Sequence, residues 1–256
     1  MKAYAKANIF LKLVGLDSRK YHLIESRFII LDTLFDELLL VDEKHTDGFE
    51  IISEFDCEDN IIKKAYFLLC KKGFQNELEE LFRQKSLKLI KHIPVCAGLG
   101  GGSSDCACFL QMMNTTLNLK LSASNLREFA KELGSDVAFF LSGFKAANVS
   151  GCGEIIEEYE YEDLDLDWVF PNIVCETAKV YKEFDKMPFD FTKSLIESKE
   201  LKKCSSKELL HFKNTQLNDL FTPCANFYPK MSVYLKQGFF LSGSGSAVFK
   251  LKAKEL

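Results

Sequence analysis

Apolar and polar positions alternate, or run apolar, over residues 3–16 and 26–42, in text rich in Ile, Leu, Val and Phe. Both stretches predict strands, as does 48–55. The period then changes. Apolar residues at 61, 62, 65, 66, 68 and 69 predict a helix over 61–72, with Asp59 and Asn60 as its cap and Gly73 as its stop. A strand over 87–93 feeds a glycine-rich segment. Helices are expected over 104–114 and 122–133, the latter stopped by Gly134, and Ser135 is expected to cap a short helix through Leu141. Further on, 146–159 reads as extended around Gly151-Cys152-Gly153, 168–175 as a strand, and Thr177 as a helix start. Helices over 192–200, 205–213 and 224–236 precede two closing strands in 239–251 around a glycine turn. This mixture predicts an α+β fold of two lobes, 1–145 and 146–256.

Composition narrows the classes. The chain has 256 residues, 47% of them hydrophobic, and a formal net charge of −4 from 33 basic and 37 acidic side chains. That is enough chain for one large domain or two smaller ones sharing a site. No basic stripe is present, and Lys71-Lys72 and Lys202-Lys203 read as solvated helix faces, so a nucleic-acid partner is not expected. No apolar run is long enough to span a bilayer, and no membrane partner is expected. Nine scattered cysteines form no CxxC pair and follow no signal peptide, which points to reduced thiols in a cytoplasmic protein. Cys106 and Cys108 lack a nearby third ligand and make a poor metal site.

The glycines carry the chemistry. Ten of fourteen fall in four groups: 98–102, 134 with 143, 151–153 and 243–245. Such clusters in apolar text mark backbone that turns at positive φ or approaches a ligand. In Pro94-Val95-Cys96-Ala97-Gly98-Leu99-Gly100-Gly101-Gly102-Ser103-Ser104, a strand precedes and a helix follows. Without Cβ atoms, successive N–H groups can face one anion, and the helix start adds its positive end. Ser103 and Ser104 supply hydroxyls for a phosphate oxygen or a Mg²⁺ ion. The alternative is a plain glycine turn. The segment is neither a Walker A loop, since no Lys follows, nor GxGxxG, and protein-kinase signatures are absent.

Pro94-x3-Gly98-Leu99-Gly100-Gly101-Gly102-Ser103-Ser104 resembles the phosphate loop of the GHMP kinases, the superfamily of galactokinase, homoserine kinase and mevalonate kinase. Other segments, in order, sharpen the resemblance: Ala5-Lys6-Ala7-Asn8-Ile9-Phe10-Leu11 with Tyr21-His22, Glu58-Asp59-Asn60, Leu133-Gly134-Ser135-Asp136-Val137-Ala138-Phe139-Phe140, Gly151-Cys152-Gly153-Glu154 and Leu241-Ser242-Gly243-Ser244-Gly245-Ser246. They are similar to the branch that acts on a cytidine-diphosphate-linked methylerythritol in non-mevalonate isoprenoid biosynthesis. The resemblance implies a two-lobed GHMP fold with its site in the cleft between lobes, ATP and Mg²⁺ as cofactors, and transfer of the γ-phosphate to the 2-hydroxyl of that substrate.

The same resemblance assigns residues. Asp136 is the expected catalytic base, since an attacking alcohol must lose a proton; read locally it is equally a helix-start carboxylate. Lys6, in an apolar strand pattern, is placed beside that aspartate; otherwise it is an outward lysine on an edge strand. Asn8, two residues on and on the same face, is a substrate contact. Tyr21 and His22 match the cytosine-reading pair, Tyr181 the second aromatic, and Thr177 a polar contact; each alone reads as ordinary packing. Asn60 and Lys91 match positions near the adenine end of ATP, and Asn60 is also a helix cap. Gly243-Ser244-Gly245 closes on the substrate, or is simply a hairpin.

Three positions depart from the family pattern: Lys20 where glycine is common, Asp105 where asparagine is common, and Ala138 in place of proline. Other readings are a GHMP kinase for a sugar, homoserine or mevalonate, a nucleotide-binding sensor without catalysis, and an RNA-binding module. Tyr21, His22 and Tyr181 oppose the first, Lys6 with Asp136 the second, and the acidic balance the third.

Overall fold

The structure, a computed structural model, describes residues 1–55 and 60–252. Glu58 and the expected cap Asp59 lie outside the described residues. The strands are β1 (Lys2–Leu16), β2 (His22–Val41), β3 (Ile51–Ile52), β4 (Ser86–Ile90), β5 (Ala146–Gly151), β6 (Ile155–Glu158), β7 (Leu166–Val169), β8 (Phe240–Leu241) and β9 (Val248–Leu251). The helices are α1 (Ile61–Leu69), α2 (Gln75–Gln84), α3 (Gly101–Thr116), α4 (Ala123–Leu133), α5 (Val137–Ser142), α6 (Thr177–Phe184), α7 (Phe191–Lys203), α8 (Ser206–Leu209), α9 (Asn214–Leu217), α10 (Phe221–Phe227) and α11 (Ser232–Lys236).

Two compact units result, and they are not consecutive stretches of chain. One comprises Met1–Ala5, Leu31–Ile93 and Gly100–Gly143; the other comprises Lys6–Ile30, Pro94–Leu99 and Phe144–Leu256. β1 and β2 are long enough to contribute to both units.

In the first unit the C-terminal half of β2 pairs antiparallel with β4, Leu38 opposite Leu89, and β4 pairs parallel with β3. Helices α1, α3, α4 and α5 pack on one another. Their core is aromatic: Phe49 stacks on Tyr66 at 4.1 Å, and Phe82 and Phe109 are fully buried against it. Each such ring contributes roughly 1.5–3 kcal/mol by leaving water. Helix α2 has no counterpart in the sequence expectation, which ends the helical text at Gly73. Gly73 does turn at φ 101, but a π-helical turn carries the chain on, and Leu78 and Phe82, four apart, bury the next helix.

In the second unit the N-terminal half of β2 pairs with β5, and β5 with β6, both antiparallel. A separate sheet runs β7-β9-β8. The strand expected over 168–175 stops at Val169, and Pro171 follows, which lacks the N–H a ladder needs. The helix expected over 224–236 is three short pieces broken at Tyr228-Pro229. The expected 205–213 helix spans only Ser206–Leu209, and α7 runs longer than expected, to Lys203.

Candidate active site

A buried knot in the second unit gathers four of the sequence candidates. Lys6 and Asn8 lie on β1 and are 3% and 1% exposed. The Lys6 ammonium donates to Asn8 Oδ1 at 2.6 Å and to the Gly98 carbonyl at 3.1 Å, and lies 4.6 Å from the Phe28 ring centroid. A buried ammonium is costly unless its hydrogens are met, and these contacts meet them while fixing its direction. Asn8 in turn donates to Ser26 at 2.9 Å, and the Lys6 N–H donates to the Leu99 carbonyl at 2.9 Å.

The glycine segments of the two distant motifs meet here. A Cβ on Gly98 would fall 2.0 Å from the Ser242 carbonyl oxygen, and Gly98 sits at φ 75. Only glycine fits both constraints. Ser242 Oγ donates to the Gly98 carbonyl at 3.0 Å, and the Ala247 N–H to the Ala97 carbonyl at 3.0 Å. Asn218, unread in the sequence, holds the same turn: its Nδ2 donates to the Leu241 and Gly243 carbonyls, both at 2.9 Å. An isolated asparagine in loop text gives no signal of such a partner.

Helix α6 supplies a second group. Thr177, Tyr181 and Asp185 follow one another at i, i+4 and i+8, on one face. Thr177 Oγ1 and Ser244 Oγ share a hydrogen bond of 2.9 Å. The Tyr181 ring lies 5.0 Å from His22, tilted by 48°, and Phe184 meets His22 edge-on at 5.5 Å. Asp185 accepts from His22 Nε2 at 2.8 Å. Phe184 and Asp185 were not among the sequence candidates; the four-residue step from Tyr181 to Asp185 was the available signal. Tyr21 is 63% exposed, and the Arg19 guanidinium lies 5.1 Å from its ring, held by Asp17.

The phosphate-loop half lies in the first unit. Helix α3 begins at Gly101, three residues before the expected start at Ser104, with Gly100 at φ 70 as its cap and no side-chain capping bond. Its first-turn N–H groups thus have no competing side chain. Gly102 is exposed, Ser103 half-buried and Ser104 buried. Ser103 Oγ lies 4.0 Å from where a Gly134 Cβ would stand, so the helix start and the Gly134–Asp136 turn are neighbours. The expected cap Ser135 is exposed in the turn, and Asp136 occupies the N-cap position of α5 instead. Its carboxylate makes no capping bond.

Asn60 caps α1, accepting the Ile62 N–H at 2.9 Å. Lys91 points inward. Its ammonium pairs with Asp36 and, at 2.7 Å, with Asp105. Asp36 also accepts the His92 and Ile93 N–H groups at 2.5 and 2.8 Å, fixing the backbone ahead of the glycine segment. Burial pushes the Asp105 carboxyl up to about 7 against the pull of Lys91, while both carboxylates outweigh burial and raise the Lys91 ammonium. Cys106 and Cys108 are buried in α3, their thiols pushed up by burial to about 12 and about 11.

Residues 60–144 match the GHMP kinases N terminal domain. A 4-diphosphocytidyl-2-C-methyl-D-erythritol kinase of Campylobacter jejuni subsp. jejuni serotype O:6 (strain 81116 / NCTC 11828) is 66% identical over 255 residues, covering 98% of this chain and 99% of that protein. The protein of that name from Sulfurimonas denitrificans is 41% identical, covering 99% of this chain and 97% of its own. The chain belongs to the 4-diphosphocytidyl-2-C-methyl-D-erythritol kinase family. A crystal structure of 4-(cytidine 5'-diphospho)-2C-methyl-D-erythritol kinase shares the fold with a TM-score of 0.72 at 24% identity, covering 98% of this chain and 89% of that one. The Methanococcus jannaschii mevalonate kinase gives 0.56 at 16% identity, covering 99% and 90%.

Within this kinase family the three departures now have local settings. Lys20 has φ 67, a left-handed conformation that glycine adopts freely and that costs another residue roughly 1–2 kcal/mol. Asp105 brings a carboxylate that Lys91 meets. Ala138 lies in the first turn of α5, where proline is tolerated, so its replacement leaves the helix start unchanged.

Proposed function

We propose that the chain phosphorylates the 2-hydroxyl of 4-diphosphocytidyl-2-C-methyl-D-erythritol with ATP, in isoprenoid precursor biosynthesis. The observation that carries this is 66% identity, along almost the whole chain, to a kinase named for that substrate. The local geometry supports the parts. The N–H groups of Gly101–Ser103, which precede the first intrahelical bond from Ser104 to the Gly100 carbonyl, suit triphosphate oxygens. Ser103 and Ser104 offer hard oxygen donors of the kind Mg²⁺ takes together with ATP phosphates. No group of three His, Cys, Asp or Glu among the described residues would hold the ion unaided. When bound, it neutralises charge on the phosphates.

In the reaction the substrate hydroxyl oxygen bonds to the γ-phosphorus, and the bond from that phosphorus to the bridging oxygen of ADP breaks. Asp136 accepts the hydroxyl proton, and Lys6, already oriented by Asn8 and Gly98, supplies positive charge. Thr177, Ser244 and the Gly243–Gly245 turn hold the methylerythritol part, and Tyr21, His22 and Tyr181 hold the base. No helix among the described residues is long and apolar enough to cross a membrane. The test is ADP release with a panel of acceptors: the cytidine-linked substrate, mevalonate, homoserine and galactose. Turnover with the first is expected; turnover confined to another would overturn the reading.

A further inference from the structure

The contact between His22 and Asp185 has a consequence for which base the site takes. His22 is nearly buried, its side chain 12% exposed, while the Asp185 side chain is 54% exposed. Asp185 is the C-cap of α6, and Tyr181 and Phe184 of the same helix pack on the imidazole. A carboxylate has only acceptors, so the Nε2···Oδ1 contact of 2.8 Å requires the hydrogen on Nε2. In the neutral ring Nδ1 then carries the lone pair. Nδ1 has no hydrogen-bond partner among the described residues.

We propose that Asp185 is a positioning residue that holds His22 in the tautomer accepting through Nδ1, and that this selects cytosine over uracil. It rests on the cytidine-linked reading of the site. The chemistry is complementary. Cytosine presents an amino donor at position 4, and a keto pyrimidine presents an acceptor there. An Nδ1 lone pair receives the amino hydrogen and repels the keto oxygen. A buried polar group facing the wrong partner is penalised more heavily than a lost contact. A carboxylate fixing an imidazole tautomer is the arrangement by which metal-bound and catalytic histidines are oriented. Asp185 acts through His22, to which it is bonded.

The test is Asp185→Asn. The amide can donate to Nε2, which moves the hydrogen to Nδ1 and reverses what the ring offers. CDP and UDP affinities are measured by titration calorimetry with the ATP site filled by an unreactive ATP analogue. The wild type is expected to prefer CDP, and the Asn variant to lose about tenfold or more of that preference. In turnover the loss should fall on KM rather than kcat, and Asp185→Glu should restore part of it. Nitrogen NMR of His22 in the wild type reads the tautomer directly, independent of any variant's folding; a hydrogen on Nε2 is expected. A hydrogen on Nδ1, or equal CDP and UDP affinities in the wild type, overturns the proposal. So does a folded Asn variant with unchanged preference. A wild type that prefers CDP but phosphorylates a different alcohol upholds this inference and overturns the functional reading alone.

Discussion

At the residue scale, two positions decide whether the assignments hold. Asp136 sits at the N-cap position of α5 and makes no side-chain capping bond there. As proton acceptor, its replacement by Asn keeps shape and removes basicity. Single-turnover phosphorylation should slow by about 10²–10⁴, with both substrate affinities nearly unchanged. A rate within about threefold of wild type would exclude an essential base there. For the phosphate loop, Gly102 is the informative position. A Cβ at Gly101 would press on Ile93 Cγ2 at 3.0 Å, so a change there confounds packing with binding. At Gly102 the nearest atom is Ile61 Cγ2 at 3.8 Å, an ordinary contact. Gly102→Val should keep the fold, as read by circular dichroism, and weaken ATP by about tenfold or more through crowding of the bound anion. Unaltered ATP affinity would reduce the segment to a turn.

At the scale of elements, short strands depend on single polar contacts more than long ones do. β3 has two residues, and beside it Glu50 accepts from the Ser86 hydroxyl on β4 and from the His45 N–H at 2.9 Å, with the Lys44 ammonium 3.5 Å away. The Ser86 bond first, then His45 and Lys44, hold the Glu50 carboxyl down to about 2. A depressed carboxyl contributes stability above its unfolded value and loses it as pH falls toward the folded value. The window therefore runs from about pH 4.3 down to about pH 2. Glu50→Gln should melt below wild type at neutral pH, and the gap should close across that window. A gap that stays constant with pH would assign the effect to packing rather than to charge.

At the scale of the whole molecule, the candidates divide between the two compact units. Asn60, Lys91, Gly100–Ser104 and Asp136 belong to one; Lys6, Asn8, Tyr21, His22, Pro94, Gly98, Leu99, Thr177, Tyr181 and Gly243–Gly245 belong to the other. Ligands that bind only the folded chain stabilise it by mass action. The cytidine-linked substrate at about one hundred times its Kd should add about 2.7 kcal/mol to the stability. For a chain of this size that is a rise of roughly 5–10 °C in melting temperature. Galactose at the same concentration should leave the melting temperature where it was.

The motifs were legible in the chain because each is local. Gly98–Ser104 must be glycine-rich to turn at φ 75 and φ 70 and open into a helix, and that demand is written in consecutive residues. The strand text of 3–16 and the helix text of 122–133 were legible for the same reason, since one buried face imposes one period. What the chain could not display is partnership at long separation. Lys91 reads locally as one more residue of an expected strand until Asp36 and Asp105 converge on it. Asn218 reads as loop until it meets the Leu241 and Gly243 carbonyls. Asp185 carries no reading of its own until His22, 163 residues away, is brought against it. Period and turn chemistry are properties of neighbours along the chain. Burial, ion pairing and tautomer are properties of neighbours in space, and only the folded backbone chooses those.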